Sequence, residues 1–442
     1  MVQDWLSIYG KLVAFLKKKD PSKSFKFTGD DSKVFTKLED ELRRYFVYNE
    51  VGEELPIALE WVKNLKKALK QAREVLGLQG EQLSREFRSF MEDPIRHLMK
   101  KIVFYLYDLL REKIHLEEFI QTAGAAVRTS LKTNMRSVYQ NWVYINILTL
   151  LGEMNGVMVY PEVKYLLLGR SGKQKTGLIP PNAIIYLTGR GYLSFFLEAP
   201  RPISWEDSTD LRKIWTLYTA LRPDMIVYTR KILNIVKLTS NPPIERPNII
   251  IECKELDDWY KRGREVRGPL AKPLSVEEWR SKWITGLWDG LADVLGVSRK
   301  EVVEEVKQKK VMRLKDIQIV TLYYTLYKPD KMFLVSRAKV PKEIKDYLRD
   351  RGLHIIDNVG FNKNKLKPLV NELYKRARRG SNDYEVIELN GEEIDLLERL
   401  TRILRRKNKY ITNRDVIRFA LEFTLRNKDR ILSDEVYKLR SL

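Results

Sequence analysis

The sequence predicts an α+β multidomain protein, with a helical N-terminal domain over residues 1–130, a central α/β domain with a mixed sheet over 131–380, and a small strand–helix–helix module over 381–442. Three observations carry this division. Apolar side chains recur at helical spacing throughout the first segment. In the second, short apolar runs are interleaved with amphipathic stretches, the pattern of a sheet packed with helices. The formal net charge of +22 is also unevenly spread: +3 over residues 1–130, +18 over 131–380 and +1 over 381–442.

Composition narrows the chemistry. A chain with 44% hydrophobic and 32% charged residues can bury a core, so it is globular rather than disordered. No run approaches the ~18–20 uncharged apolar residues of a membrane span; the most apolar stretch, Trp142 to Leu151, reads as a buried helix. Gln3 and Asp4 open an amphipathic pattern rather than a signal peptide, so a cytoplasmic location is expected. Cys253 is the single cysteine, and the histidines (His97, His115, His354) are scattered, which argues against zinc and against histidine-based nucleophilic catalysis. Any chemistry must then rest on carboxylates and lysines, with or without a hard metal ion. The basic surplus points to a polyanionic partner, above all nucleic acid. The Lys/Arg/Glu-rich composition resembles that of a hyperthermophilic archaeal chain, a habit that raises both charge signs and does not by itself leave a surplus of this size.

In chain order, Trp5, Leu6, Tyr9, Leu12, Val13 and Leu16 mark a first helix that Asp20–Pro21 ends. Further helical stripes run from Val34 to Phe46 and from Leu55 to Leu76, the latter closing near Gly77 and Gly80. Asp93–Pro94 starts another helix reaching Leu110, and a further one begins near Leu116. A long helix from Lys132 to Glu153 leads into a β-rich run, Val157 to Leu168. The loop Gly169 to Lys175 superficially suggests a phosphate loop but lacks the Gly-Lys-Ser/Thr ending, so it reads as a strand or turn connection. Strands are expected at Ala183–Leu187, Tyr192–Leu197, Met225–Tyr228, Asn248–Lys254, Ile317–Tyr324, Met332–Val335 and Leu353–Asp357. Helices are expected over Val276–Leu295 and Lys342–Arg351.

Two pieces concentrate the chemistry. Leu221-Arg222-Pro223-Asp224-Met225-Ile226-Val227-Tyr228 sets an aspartate at the mouth of an apolar strand. Ile249-Ile250-Ile251-Glu252-Cys253-Lys254-Glu255 carries charge inside another. Side chains alternate along a strand, so Glu252 and Lys254 share one face while Ile249, Ile251 and Cys253 take the other. If the two strands are neighbours, joined through Pro242, Pro243 and Pro247, Asp224 approaches Glu252. Two converging carboxylates make an oxygen-rich site for Mg²⁺ or Mn²⁺. Lys254 beside them adds a point charge for a phosphate or for the attacking water, an arrangement suited to phosphodiester hydrolysis. The alternative is a buried structural Glu–Lys pair and an aspartate capping the turn after Pro223.

The Pro223-Asp224…Glu252-Cys253-Lys254 pattern resembles the signature of the PD-(D/E)xK, or restriction-endonuclease-like, nuclease superfamily, and the likeness covers residues 132–357. It implies that Asp224 and Glu252 bind Mg²⁺, that the backbone carbonyl of Cys253 is a further ligand, and that Lys254 assists the nucleophile. Many members carry a helix glutamate before the first strand. This chain has Gln140 and Asn141 there, leaving Glu153 or Glu162 as substitutes. The missing acid supports a second reading, a non-catalytic nucleic-acid-binding or architectural protein on a decayed nuclease fold.

Around this motif, Arg222, Lys261, Arg262, Arg264, Arg280 and Lys282 are candidates for phosphate contacts, and Trp259 or Tyr260 for stacking on an unpaired base. The basic run from Lys363 to Arg379 reads as a connector ending at Gly380. Beyond it a strand over Tyr384–Leu389 and helices over Glu392–Arg406 and Asn413–Arg426 are similar to ribbon-helix-helix domains. That strand offers Glu385 and Glu388 rather than basic groups, so the resemblance implies a homodimer through residues 381–442 first and DNA binding second.

Overall fold

The computed structural model describes residues 5–171, 178–199, 222–236, 244–266, 312–378, 391–406 and 411–427, with 292, 298, 300 and 301 besides. Residues 1–381 form one compact unit and 382–442 another.

The larger unit begins with α1 (Trp5–Lys19), α2 (Gly29–Val51), α3 (Leu55–Leu76), β1 (Gly80–Leu83), α4 (Arg85–Glu92), α5 (Pro94–Lys101), α6 (Val103–Leu110) and α7 (Leu116–Glu153). Local chemistry fixes their ends. After α1 the Asp20 carboxylate accepts hydrogen bonds from the Ser22 and Ser24 hydroxyls and from the Phe25 N–H. Gly77 closes α3 in the left-handed region at φ 62°, which a residue with no Cβ adopts without strain. Asp93 caps α5 by accepting from the Arg96 N–H, with Pro94 in the first turn where no N–H is needed. The expected single helix from Asp93 to Leu110 is two, broken at Ile102.

Helix α7 runs through the expected boundary at residue 130, joining what the sequence separates into two helices. Every residue from Val138 to Leu151 is buried, so this segment is surrounded on all sides. Three of its polar members are satisfied within the helix: Asn141, Asn146 and Thr149 donate to the carbonyls of Ser137, Trp142 and Ile145, each at 2.8 Å, whereas the Tyr139 and Tyr144 hydroxyls are buried with no hydrogen-bond partner among the described residues.

After α7 come β2 (Gly156–Tyr160), β3 (Tyr165–Leu168), β4 (Ala183–Leu187), β5 (Gly191–Leu197), β6 (Met225–Tyr228), β7 (Ile249–Lys254), β8 (Gly263–Val266) and β9 (Met312–Lys315). The unit closes with α8 (Asp316–Tyr327), β10 (Lys331–Ser336), α9 (Lys342–Arg349), β11 (Leu353–Ile356) and α10 (Lys367–Arg376). Seven strands form one mixed sheet in the order β11-β10-β7-β6-β5-β4-β2. The β11–β10 and β10–β7 pairs are parallel and the others antiparallel.

Strand alternation divides the core in two. Phe195, Met225, Val227, Ile249, Ile251, Cys253 and Val335 face one layer, where they share a continuous core with the N-terminal helices, α7 and α10. Phe196, Ile226, Tyr228, Ile250, Met332 and Leu334 face the other, packed against α8.

Two expectations are corrected. Ile317–Tyr324 is helix, not strand: β10 lies parallel to β7, so the chain must cross back over the sheet, and α8 makes part of that crossing. A short apolar run rich in β-branched and aromatic residues does not distinguish a buried helix from a strand. The basic run after Lys363 is not a bare connector but includes α10, which buries Leu369, Val370 and Leu373 while its cations face outward.

The smaller unit contains α11 (Gly391–Arg405) and α12 (Asn413–Arg426), close to the expected bounds. Thr412 starts α12 with a reciprocal cap: the Asp415 N–H donates to its hydroxyl oxygen at 3.3 Å, and its own N–H donates to the Asp415 carboxylate at 2.9 Å. Leu396, Leu400, Ile403, Phe419, Leu421, Phe423 and Leu425 are all exposed here. The expected strand over Tyr384–Leu389 lies outside the described residues, as does the expected helix over Val276–Leu295 except for Ala292, which is helical.

Candidate active site

Strands β6 and β7 are antiparallel neighbours with Met225 opposite Ile251 and Ile226 opposite Ile250. Continuing that register by one residue sets Asp224 opposite Glu252, on the same face of the sheet as Ile226 and Ile250. The side chains meet through the backbone. The Asp224 N–H donates to Glu252 Oε2 at 3.1 Å, and the Cys253 N–H donates to Asp224 Oδ2 at 2.7 Å. Lys254, two residues on and therefore on the same face, places Nζ 3.1 Å from Glu252 Oε1. Glu252 is 3% exposed and Lys254 2%. Asp224 is half-buried at the strand mouth.

The lysine is held from two sides. Its Nζ lies 5.8 Å from the centre of the Trp259 ring, and Trp259 Nε1 donates to the Ser336 hydroxyl at 3.3 Å. Ser336 is the register partner of Lys254 on β10, so the parallel strand fixes the tryptophan that flanks the ammonium.

Electrostatically the site is short of positive charge. Burial, and then the negative charge of Glu252, push the Asp224 carboxyl well above the ordinary carboxylate range, while Lys254, the Cys253 N–H and Arg136 pull the other way. The Cys253 side chain points into the opposite layer, where burial and the two nearby carboxyl groups push its thiol up; only its backbone reaches the site.

Helix α7 touches the centre through an amide and not an acid: Gln140 Nε2 donates to the Asp224 carbonyl at 3.3 Å. Neither substitute acid joins it. Glu153 accepts from Lys363 at 2.7 Å and from Gln71 at 3.2 Å, and Glu162 is exposed. Glu198 and Arg170, which the sequence did not single out, stand closer, together with the expected Arg222. The Glu198 N–H, just past β5, donates to the Asp224 carbonyl at 3.0 Å. Arg222 Nη1 donates to the Glu198 carbonyl at 3.4 Å, and Arg170 Nε lies 2.5 Å from Glu198 Oε2. Burial and the neighbouring Arg170 lower the Arg222 pKa from its usual value. A long-range contact such as Arg170 to Glu198 leaves no periodic signal in sequence; only the position after an apolar strand could have flagged Glu198.

The remaining basic candidates divide. Lys261 and Arg262 are exposed; Lys261 Nζ is 5.9 Å from the Tyr260 ring centre, and Arg262 Nε donates to Asp258 at 2.7 Å. Arg264 lies on β8, with only its backbone described, and Arg280 and Lys282 are outside the described residues. Trp259 is 1% exposed and packs beneath Lys254, so it is a support for the lysine rather than a stacking platform for a base.

Among the described residues no three or more His, Cys, Asp and Glu side chains gather as a metal cluster. The pair Asp224 and Glu252 nonetheless suits a hard divalent cation. Two carboxylates share one lysine, and all their donors are oxygen. Mg²⁺ keeps several waters and takes few protein ligands, so two acids suffice to hold it. No helix among the described residues is long and apolar enough to cross a membrane. Comparison with protein-family models, characterised proteins and solved structures found no match for the chain.

Proposed function

We propose that the chain is a metal-dependent deoxyribonuclease that hydrolyses phosphodiester bonds. The observation that carries this reading is the opposition of Asp224 and Glu252 across β6 and β7, with Lys254 buried at Glu252. A buried acid facing a half-buried one is unfavourable in a purely structural role and useful for holding a dication beside a phosphate.

In this reading Asp224 and Glu252 hold Mg²⁺ or Mn²⁺, with the Cys253 carbonyl as a further oxygen. Once bound, the ion supplies Lewis-acid polarisation of a phosphoryl oxygen and acidifies a water. Lys254 donates to the oxygen that gains charge as the water attacks phosphorus in line with the leaving group, or orients that water. Trp259 and Glu252 keep the ammonium in place, so no reorganisation accompanies the charge development. Gln140 and the Cys253 N–H orient Asp224 through its carbonyl and its carboxylate. The basic surplus of the segment holds the polyanion over this point.

A second reading, a nucleic-acid-binding protein on a decayed nuclease fold, is favoured by Gln140 standing where an acid would extend the metal site. Incubation with single-stranded, duplex and branched DNA, with and without Mg²⁺, separates the two: the first requires Mg²⁺-dependent cleavage of at least one substrate, the second binding alone. We also propose a homodimer through residues 381–442, because two helices alone cannot enclose a core and the described residues of α11 and α12 leave nine large apolar side chains exposed.

A further inference from the structure

Two arginines converge on one residue beside the candidate active site. Arg170 reaches the carboxylate of Glu198 at 2.5 Å, and Arg222 reaches its carbonyl at 3.4 Å. The Glu198 N–H in turn donates to the Asp224 carbonyl at 3.0 Å, so the trio is tied directly to the strand mouth. Glu198 sits at φ 42°, in the left-handed region that a side chain with a Cβ rarely adopts, and such strain persists only where surrounding contacts hold it. Arg222 is incompletely satisfied: its Nε is buried with no hydrogen-bond partner among the described residues. An unpaired buried donor of this kind is unfavourable. Arg170 thus takes the Glu198 carboxylate while Arg222 has only the backbone carbonyl of that residue, and the planar fork of Arg222 has a free donor. Both conditions are relieved by a tetrahedral oxyanion, which guanidinium binds in a bidentate manner.

We propose that Arg170 and Arg222 form a phosphate subsite beside Asp224, with the Glu198 carboxylate holding Arg170 in the unliganded protein. A phosphate of the nucleic-acid backbone next to the scissile one takes the place of that carboxylate. Glu198 is therefore a competitor: it keeps Arg170 positioned and weakens binding until a phosphate arrives. The proposal rests on the nuclease reading only in naming a nucleic-acid phosphate as the ligand.

The test uses the full chain without divalent metal, so cleavage plays no part. Binding of a short duplex oligonucleotide is measured across a salt series, with inorganic phosphate as competitor. Arg170→Ala weakens binding about five- to tenfold and lowers the salt slope by about 1. Glu198→Gln tightens binding about three- to tenfold, a direction that misfolding cannot produce. In the Arg170→Ala background Glu198→Gln no longer tightens it, as coupling through one partner requires. Arg222→Lys, which keeps the charge but loses the fork, reproduces part of the Arg222→Ala loss. Unchanged or weaker binding by Glu198→Gln, or equal tightening with and without Arg170, overturns the subsite. If these results hold but no substrate is cut with Mg²⁺, the catalytic reading fails and the subsite stands.

Discussion

The backbone N–H of Asp224 donates to Oε2 of Glu252 at 3.1 Å, so the second acid of the site helps to fix the first. Strand register alone brings the two together from positions far apart in the chain. The same contact places two carboxyl groups close together in a partly dry setting, with Lys254 as their shared cation. Stability and function therefore pull against each other at this point.

That conflict gives the first prediction. The Asp224 carboxyl has its pKa raised in the folded state, so the folded chain binds a proton more tightly than the unfolded one. Its ionisation opposes folding as pH rises above the unfolded carboxylate value. Asp224→Asn removes the charge and keeps an acceptor for the Cys253 N–H. In metal-free buffer at neutral pH this variant melts about 2 °C or more above wild type, read by calorimetry. Mg²⁺ raises the wild-type midpoint and leaves that of the variant in place.

A second pH effect comes from the N-terminal helices. His97 is 2% exposed, its Nε2 3.2 Å from the Ser130 hydroxyl and 3.3 Å from Asn134 Nδ2. Burial, and then Lys101, lower its pKa from 6.5 to about 4. The unfolded chain thus binds the extra proton first, and stability falls as pH drops from about 6.5 toward about 4. Urea titrations over this range show the slope in wild type and a shallower one in His97→Gln.

The turn from α7 into β2 supplies a third. A Cβ on Gly156 would lie 2.6 Å from the Leu151 carbonyl oxygen and 2.9 Å from Ile185 Cγ2. The first of these is backbone and cannot rotate away. Gly156→Ala destabilises the larger unit by about 1–3 kcal/mol, measured by denaturant titration.

Much of this fold was legible because its signals are local. Asp93–Pro94 marked a helix start, and the alternation in Ile249–Lys254 correctly sorted Glu252 and Lys254 from Cys253. The site pair was legible for the same reason, since an acid beside an apolar strand stands out. What was missed depends on tertiary partners. Ile317–Tyr324 is a helix because of where the chain must go next, and α10 was hidden by its own cations. Trp259 stood in a basic loop and looked available to a base, but β10 covers it through Ser336. Glu198 and Arg170 have no shared pattern in the chain, and only the fold brings them to Asp224.

The central claim is that Asp224 and Glu252 together hold a metal that cuts phosphodiester bonds. Its most direct test is single-turnover cleavage by wild type, Asp224→Ala, Glu252→Gln and Lys254→Met, each with and without Mg²⁺, alongside the melting profile of each protein. Wild type cleaves only with Mg²⁺, and each variant that still folds loses at least about a hundredfold in rate. Cleavage by folded Asp224→Ala at the wild-type rate would contradict the central claim.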